Sequence, residues 1–130
     1  MTALDPCPCG RGEPYSACCG PLHGGEPAPT AERLMRSRYS AFVLGLADYL
    51  LDTWHPRNRP EALEIDDEVR WLRLLIEATE GGGPFDRAGV VEFTAIGRTP
   101  SGRFEQRERS RFERSGPERR WVYVDGDVAG

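Results

Sequence analysis

From Thr30 onward the apolar residues Leu34, Met35, Tyr39, Phe42, Val43 and Leu46 recur at three- and four-residue intervals, the period of one face of a helix. Thr30-Ala31-Glu32 supplies a start, with Thr30 as N-cap. After Gly45 a second helical piece runs from Ala47 to Thr53, and Pro56 and Pro60 end it. Proline tolerates a first helical turn, so a third short helix is expected from Pro60 through Ala62 and Leu63. The second half changes period. Val69 to Thr79, Val90 to Arg98, Arg103 to Arg114 and Arg120 to Val124 read as strands. Gly81-Gly82-Gly83-Pro84, Thr99-Pro100-Ser101-Gly102 and Ser115-Gly116-Pro117 separate them with turn chemistry. Helices followed by an antiparallel meander predict an α+β class, with N-terminal helices packed on one face of a four-stranded antiparallel sheet. Alternation in the third strand puts Phe104, Gln106, Glu108, Ser110 and Phe112 on one side and the intervening arginines and glutamates on the other. In the last strand Trp121, Tyr123 and Asp125 share a face.

Residues 1–29 follow neither period. They are rich in proline and glycine, carry almost no apolar bulk, and hold all four cysteines of the chain, Cys7, Cys9, Cys18 and Cys19. A segment of this kind needs a staple to be ordered at all. Two closely spaced thiol pairs separated by a short loop suit a tetrahedral zinc ion, each pair supplying one edge of the tetrahedron. Metal binding would then provide the folding energy directly. A redox dithiol is the competing reading, but the C-x-C and C-C pairs lack the C-x-x-C spacing, and a bridge between the adjacent Cys18 and Cys19 would be strained. Four protein thiolates leave the metal no open position, so the site is structural or a docking surface and not catalytic. The organisation expected is a zinc-binding segment with its Pro-rich linker at 1–29, then an α+β domain at 30–130.

Composition narrows the function classes. At 130 residues the chain is of single-domain size, and no apolar run approaches the roughly 20 residues that span a bilayer. No secretory signal is visible, so the expected location is the reducing cytoplasm, where clustered thiols serve metals. The net charge of -4 argues against a nucleic-acid partner. All seventeen basic residues are arginine, and eight of them fall between Arg98 and Arg120 against four acids. The Arg107, Arg109 and Arg111 stripe is interleaved with Glu105 and Glu113 and reads as a solvated sheet face.

The string Cys7-Pro8-Cys9-Gly10-Arg11-Gly12-Glu13-Pro14-Tyr15, followed by Cys18-Cys19-Gly20, resembles the SEC-C motif, the zinc-binding tail of the SecA preprotein translocase. Arg11 and Glu13 replace the motif's usual serine and lysine, while all four ligand positions match. The resemblance implies one structural zinc per chain, held by Cys7, Cys9, Cys18 and Cys19. Further strings, among them Leu34-Met35-Arg36-Ser37-Arg38-Tyr39-Ser40-Ala41-Phe42, Thr53-Trp54-His55-Pro56, Glu108-Arg109-Ser110-Arg111-Phe112 and Trp121-Val122-Tyr123-Val124-Asp125-Gly126, resemble the YchJ-like family of bacterial proteins. That resemblance covers nearly the whole chain and implies a middle domain like nuclear transport factor two, a curved antiparallel sheet wrapped around helices into a cone.

Two functions are compatible with these residues. The first is a non-enzymatic adaptor whose zinc knuckle contacts a protein or ribonucleoprotein partner; the SecA resemblance implies protein contact. The second is a small-molecule-binding protein or enzyme that uses the cone, with Glu108 and His55 as acid/base candidates and a pocket drawn from Arg38, Tyr39, Trp54, His55, Trp71, Glu108, Trp121 and Tyr123. Glu108 is in phase with Phe104 and Phe112, so its carboxylate faces inward and requires a partner, for which Arg36 or Arg38 is the natural choice. His23 offers a spare or alternative ligand, but with four cysteines present it is expected either in solvent or behind the thiols. No nucleophile–base pair and no phosphate-binding glycine loop is present: Gly81-Gly82-Gly83-Pro84 leads into a strand. Oligomeric state is left open.

Overall fold

A computed structural model describes residues 4–129. Within the first thirty residues a 3-10 turn at Tyr15–Ala17 leads into a short helix α1, Cys19–His23. The main helix α2 spans Ala31–Leu44 and is followed by α3, Ala47–Asp52. The Thr30 side chain accepts a hydrogen bond from the Arg33 amide at 3.1 Å, as an N-cap should. Gly45 ends α2 in the left-handed region at φ 76°, and its N–H returns to the Ala41 carbonyl. The helix expected from Pro60 does not form. Residues 56–69 run as coil and turn, because Leu63, Ile65 and Val69 are too few and wrongly spaced to make an apolar helix face in a stretch dominated by acids, prolines and arginines.

Four strands then form one open antiparallel sheet in the order β1-β2-β3-β4: β1 Arg70–Gly81, β2 Ala88–Thr99, β3 Gly102–Ser115 and β4 Arg120–Ala129. Every connection is a hairpin, as the turn chemistry requires. The register slips at Trp71/Arg73 and Ile76/Ala78 against β2, and at Arg111/Phe112 against β4. Such irregularities bend the strands and deepen their twist. β4 outruns its expected end at Val124 and continues to pair with β3 through Ala129.

α2 lies across the inner face and touches β1, β2 and β4. Leu34, Val91, Phe112 and Trp121 are almost wholly enclosed between helix and sheet. The cysteine segment is not a satellite of this core. Cys7, Cys9, Cys18, Cys19, Leu22 and Ala28 belong to the same continuous buried cluster as Leu34, Tyr39 and Phe112. No described helix is long and apolar enough to cross a membrane.

Candidate metal centre and cone cavity

The thiols are brought together by two loops braced against α2. Cys7 N–H donates to the Glu13 carbonyl at 2.9 Å, Gly10 N–H returns to the Cys7 carbonyl at 3.1 Å, and Tyr15 N–H reaches the Asp5 carbonyl at 2.9 Å. This folds the first pair into a tight turn facing Cys18 and Cys19 at the start of α1. Two arginines of α2 hold the ligand loops by their carbonyls: Arg36 Nη1 donates to Cys9 O at 3.1 Å and Arg33 Nη2 to Cys18 O at 3.2 Å. The four sulfurs lie within 4.8 Å of one another, all buried and all free of disulfides. Cys9 and Cys18 sulfurs are 3.5 Å apart, and those of Cys18 and Cys19 are 4.0 Å apart. A tetrahedron with metal–sulfur bonds of about 2.3 Å has edges of roughly 3.8 Å, so separations of 3.5 and 4.0 Å within a cluster no wider than 4.8 Å suit a four-coordinate soft metal ion.

The surroundings of the thiols come from α2. Ser40 is fully buried, and its hydroxyl lies 3.3 Å from Cys19 Sγ and 3.6 Å from Cys7 Sγ. Hydrogen bonds from Cys19 and Cys9 hold the Cys7 thiol far below its ordinary value, while the contacts with Cys7, then Cys9, push Cys19 far up. Packed this closely, the sulfurs do not all ionise together, and a divalent cation is what would let them. His23 is not a ligand. Its Nε2 meets the Ser37 carbonyl at 2.8 Å and its Nδ1 meets the Tyr15 hydroxyl at 2.6 Å, so Nε2 carries the proton and Tyr15 donates to Nδ1. The serines of α2 were not singled out by the sequence. The signal was there: Ser37, Ser40 and Ala41 form a small-residue stripe at helical spacing, which is where a compact knuckle can approach the backbone.

On the cavity side, a space of about 310 Å³ opens between α2, the coil after α3 and the inner sheet face. Arg38, Tyr39, Trp54, Trp71, Glu108 and Tyr123 line it, together with Met35, Phe42, Leu63, Phe93, Ala95 and Gln106. Six of the eight expected pocket residues thus meet around one cavity; His55 and Trp121 do not. His55 follows α3 with its backbone N–H taken by the Tyr123 carbonyl at 2.7 Å, and its ring lies outside the cavity lining with Nε2 4.0 Å from Glu113. The acid/base couple of Glu108 and His55 is therefore not assembled. Trp121 shares the inward face of β4 with Tyr123 but lies farther along it, beside Leu22 and His23, where Arg114 stacks on its ring with Cζ 4.4 Å from the centroid.

The expected ion pair to Glu108 is also absent among the described residues. Arg36 goes to Glu32 and to the Cys9 carbonyl. Arg38 donates from Nη1 to Leu50 O at 2.8 Å and to Thr53 Oγ1 at 2.7 Å, and its Cζ sits 5.3 Å from the Trp54 ring and 4.8 Å from the Tyr123 ring. Burial lowers the Arg38 guanidinium to about 10, which leaves it charged at neutral pH. Glu108 instead accepts a hydrogen bond from Ser110. Its carboxyl lies over Gly126, where a Cβ would stand 2.7 Å from Glu108 Cδ. Burial pushes the phenols of Tyr39 and Tyr123 to about 12, so both stay protonated. The outer sheet face is laced by cross-strand pairs, Arg109 with Glu80 and Glu92, and Arg111 with Asp125 and Asp127.

Comparison with known proteins agrees with both halves of this picture. The SEC-C motif matches residues 5–21, and the family described as "YchJ, middle NTF2-like domain" matches residues 30–126. A UPF0225 protein of Streptomyces coelicolor is 54% identical over 123 residues, covering 94% of each chain. The chain belongs to the YchJ-like UPF0225 family. Another family member, from Chromobacterium violaceum, is 51% identical over 128 residues, covering 95% of this chain and 93% of its own. Among solved structures, a SEC-C motif-containing protein from Rhodopseudomonas palustris superposes with a TM-score of 0.82 at 32% identity, covering 97% of this chain and 100% of the other. One from Psychrobacter arcticus gives a TM-score of 0.79 at 30% identity, with 98% and 85% covered. The UPF0225 fold is thus a SEC-C knuckle joined to a nuclear transport factor two-like sheet and helices.

Proposed function

We propose that this UPF0225 protein is a zinc-stapled small-molecule-binding protein, with the cone cavity as its binding site and the zinc as a structural element. One observation carries the reading: an aromatic-walled cavity of about 310 Å³ is lined by a guanidinium, that of Arg38, which is 5% exposed and has no carboxylate partner among the described residues. Apolar walls with a few convergent polar groups are the usual make-up of a ligand site, and a charge buried in one is costly unless it has work to do. The four-thiolate donor set favours zinc by softness and geometry and leaves it no open position for chemistry. With His55 outside the cavity lining, the expected Glu108–His55 couple does not face it, and binding without turnover is the reading supported.

A protein contact through the knuckle has weaker support. The thiols are at most 4% exposed and one side of the knuckle packs on α2, so its outward surface is made by the exposed residues of 4–6, 10–13 and 16–17 and not by the thiol cluster itself. The test is amide chemical-shift mapping of zinc-loaded protein against small aromatic probes: indole, phenol, benzoate, aniline and 4-aminobenzoate. The expected result is saturable shifts at Trp54, Trp71 and the β3 residues around Gln106, lost when Ala95→Leu fills the cavity. If no probe gives saturable shifts, or Ala95→Leu binds as well as the parent, the reading is wrong.

A further inference from the structure

The charges around the cavity select among ligands. Arg38 reaches it from α2 with Nη1 already satisfied by Leu50 O and Thr53 Oγ1, which leaves the remaining N–H donors of its planar fork uncommitted. A guanidinium in this state matches a carboxylate. Glu108 lines the same cavity from β3, fixed by Ser110 and by its seat over Gly126, and forms no ion pair with Arg38. A cation and an anion therefore share one cavity of low polarity and are not in contact. Something that bridges them would satisfy both.

Other ligand classes fit less well. A phosphate dianion would find one arginine and be repelled by Glu108, with no helix N-terminus or glycine-rich loop among the lining residues to supply backbone N–H groups. A bare organic cation would find the faces of Trp54 and Tyr123 already occupied by Arg38. A wholly apolar molecule would bury both charges unpaired. The walls that remain, Trp71 and Tyr39 with ring centroids 6.2 Å apart, are flat and apolar. The volume sits at the lower end of the roughly 300–1,000 Å³ typical of ligand sites, so the molecule is small.

Resting on the cavity reading above, we infer that the ligand is a small planar organic acid, with its carboxylate on Arg38 and a hydrogen-bond donor at its far end on Glu108. Tyr123, whose phenol stays protonated at neutral pH, lies beside Arg38 at the carboxylate end.

The experiment titrates zinc-loaded full-length protein with 4-aminobenzoate, benzoate, aniline and indole, following chemical shifts of the tryptophan side-chain N–H groups. Hydrogen bonds to charged groups are worth enough to separate such probes by about tenfold or more. 4-Aminobenzoate is expected to bind at least about tenfold tighter than either benzoate or aniline. Glu108→Gln should erase its advantage over benzoate, and Arg38→Met its advantage over aniline. Should Arg38→Met fail to fold, the Glu108→Gln comparison decides alone, because Glu108 is partly exposed and its substitution keeps the shape. If all four probes bind wild type with similar affinity, the assignment of a bridging acid is overturned while the cavity reading stands. Saturable binding by none, indole included, would overturn both.

Discussion

His23 shows how one side chain ties the knuckle to the body of the protein. Its imidazole bridges Tyr15, in the cysteine segment, to the Ser37 carbonyl of α2, and its ring packs edge-on against Tyr49 of α3 with centroids 4.7 Å apart. Only the neutral ring can accept from Tyr15 while donating to Ser37. Burial lowers its pKa from the ordinary 6.5, so the unfolded chain takes up a proton at a higher pH than the folded one. The stability His23 contributes is complete above 6.5 and is lost as pH falls through the lower, folded value. Melting temperatures at saturating zinc should therefore fall as pH is lowered below 6.5, and His23→Gln, which keeps a donor and an acceptor but cannot protonate, should flatten that slope. Saturating metal matters because protons also compete for the thiolates in the same direction. Parallel slopes in the two proteins would contradict the assignment.

At the scale of elements, α2 is the member that both the thiol cluster and the cavity are built on, and its start is testable. Thr30 caps the helix, and the next amide, Ala31 N–H, donates to Gly82 O at 2.9 Å, joining the helix N-terminus to the β1–β2 hairpin. Thr30→Ala should cost about 1 kcal/mol, read as a lower denaturation midpoint with unchanged slope; no measurable change would mean that the Gly82 contact alone fixes the helix start. This cap, the apolar stripe of α2 and the two-residue period of β1 to β3 were legible in the sequence because they are local: the residues that make the signal are the residues that make the element. What was not legible is tertiary. The pattern of the last strand predicts an end at Val124, yet β4 continues through Asp125-Gly126-Asp127 because Arg111 takes both aspartates across the strand and Gly126 leaves room for Glu108. Alternation placed Trp121 and Glu108 on the inward face correctly, but a face is not a position along the strand. The β3–β4 register slip and the parallel bridge of Trp54 to Tyr123 set that position, and they put Tyr123 at the cavity and Trp121 beside the knuckle. The same bridge pairs the His55 amide with β4 and sends its ring to Glu113, which no local pattern in Thr53-Trp54-His55-Pro56 encodes.

For the whole molecule, the continuity of the core joins the thiol cluster and the cavity through α2. The cysteine segment packs on the side of α2 that carries Ser37 and Ser40, while Arg38 and Tyr39 from the same turns of helix line the cavity. Arg33 and Arg36 hold the ligand loops from α2, and Arg120 of β4 donates to Gly25 O at 2.9 Å. The segment contributes little apolar bulk besides Leu22 and Ala28, so without the ion its four buried thiols and its turns rest on these hydrogen bonds, the Tyr15–His23–Ser37 bridge and the Ser40 contacts. Structural zinc contributes folding free energy outright in such sites. Chelation of purified protein should therefore release about one zinc per chain, lower the melting temperature, and weaken probe binding in the cavity, because the knuckle side of α2 loses its packing. Added zinc should restore all three together. The release should become easier as pH falls, since each thiolate must be deprotonated to bind and protons compete for it. Cys19→Ser leaves three thiolates, and it should reproduce the chelated state without chelator. A chelated protein that melts and binds probe as before would show instead that the knuckle and the cone are energetically independent, whatever their shared core.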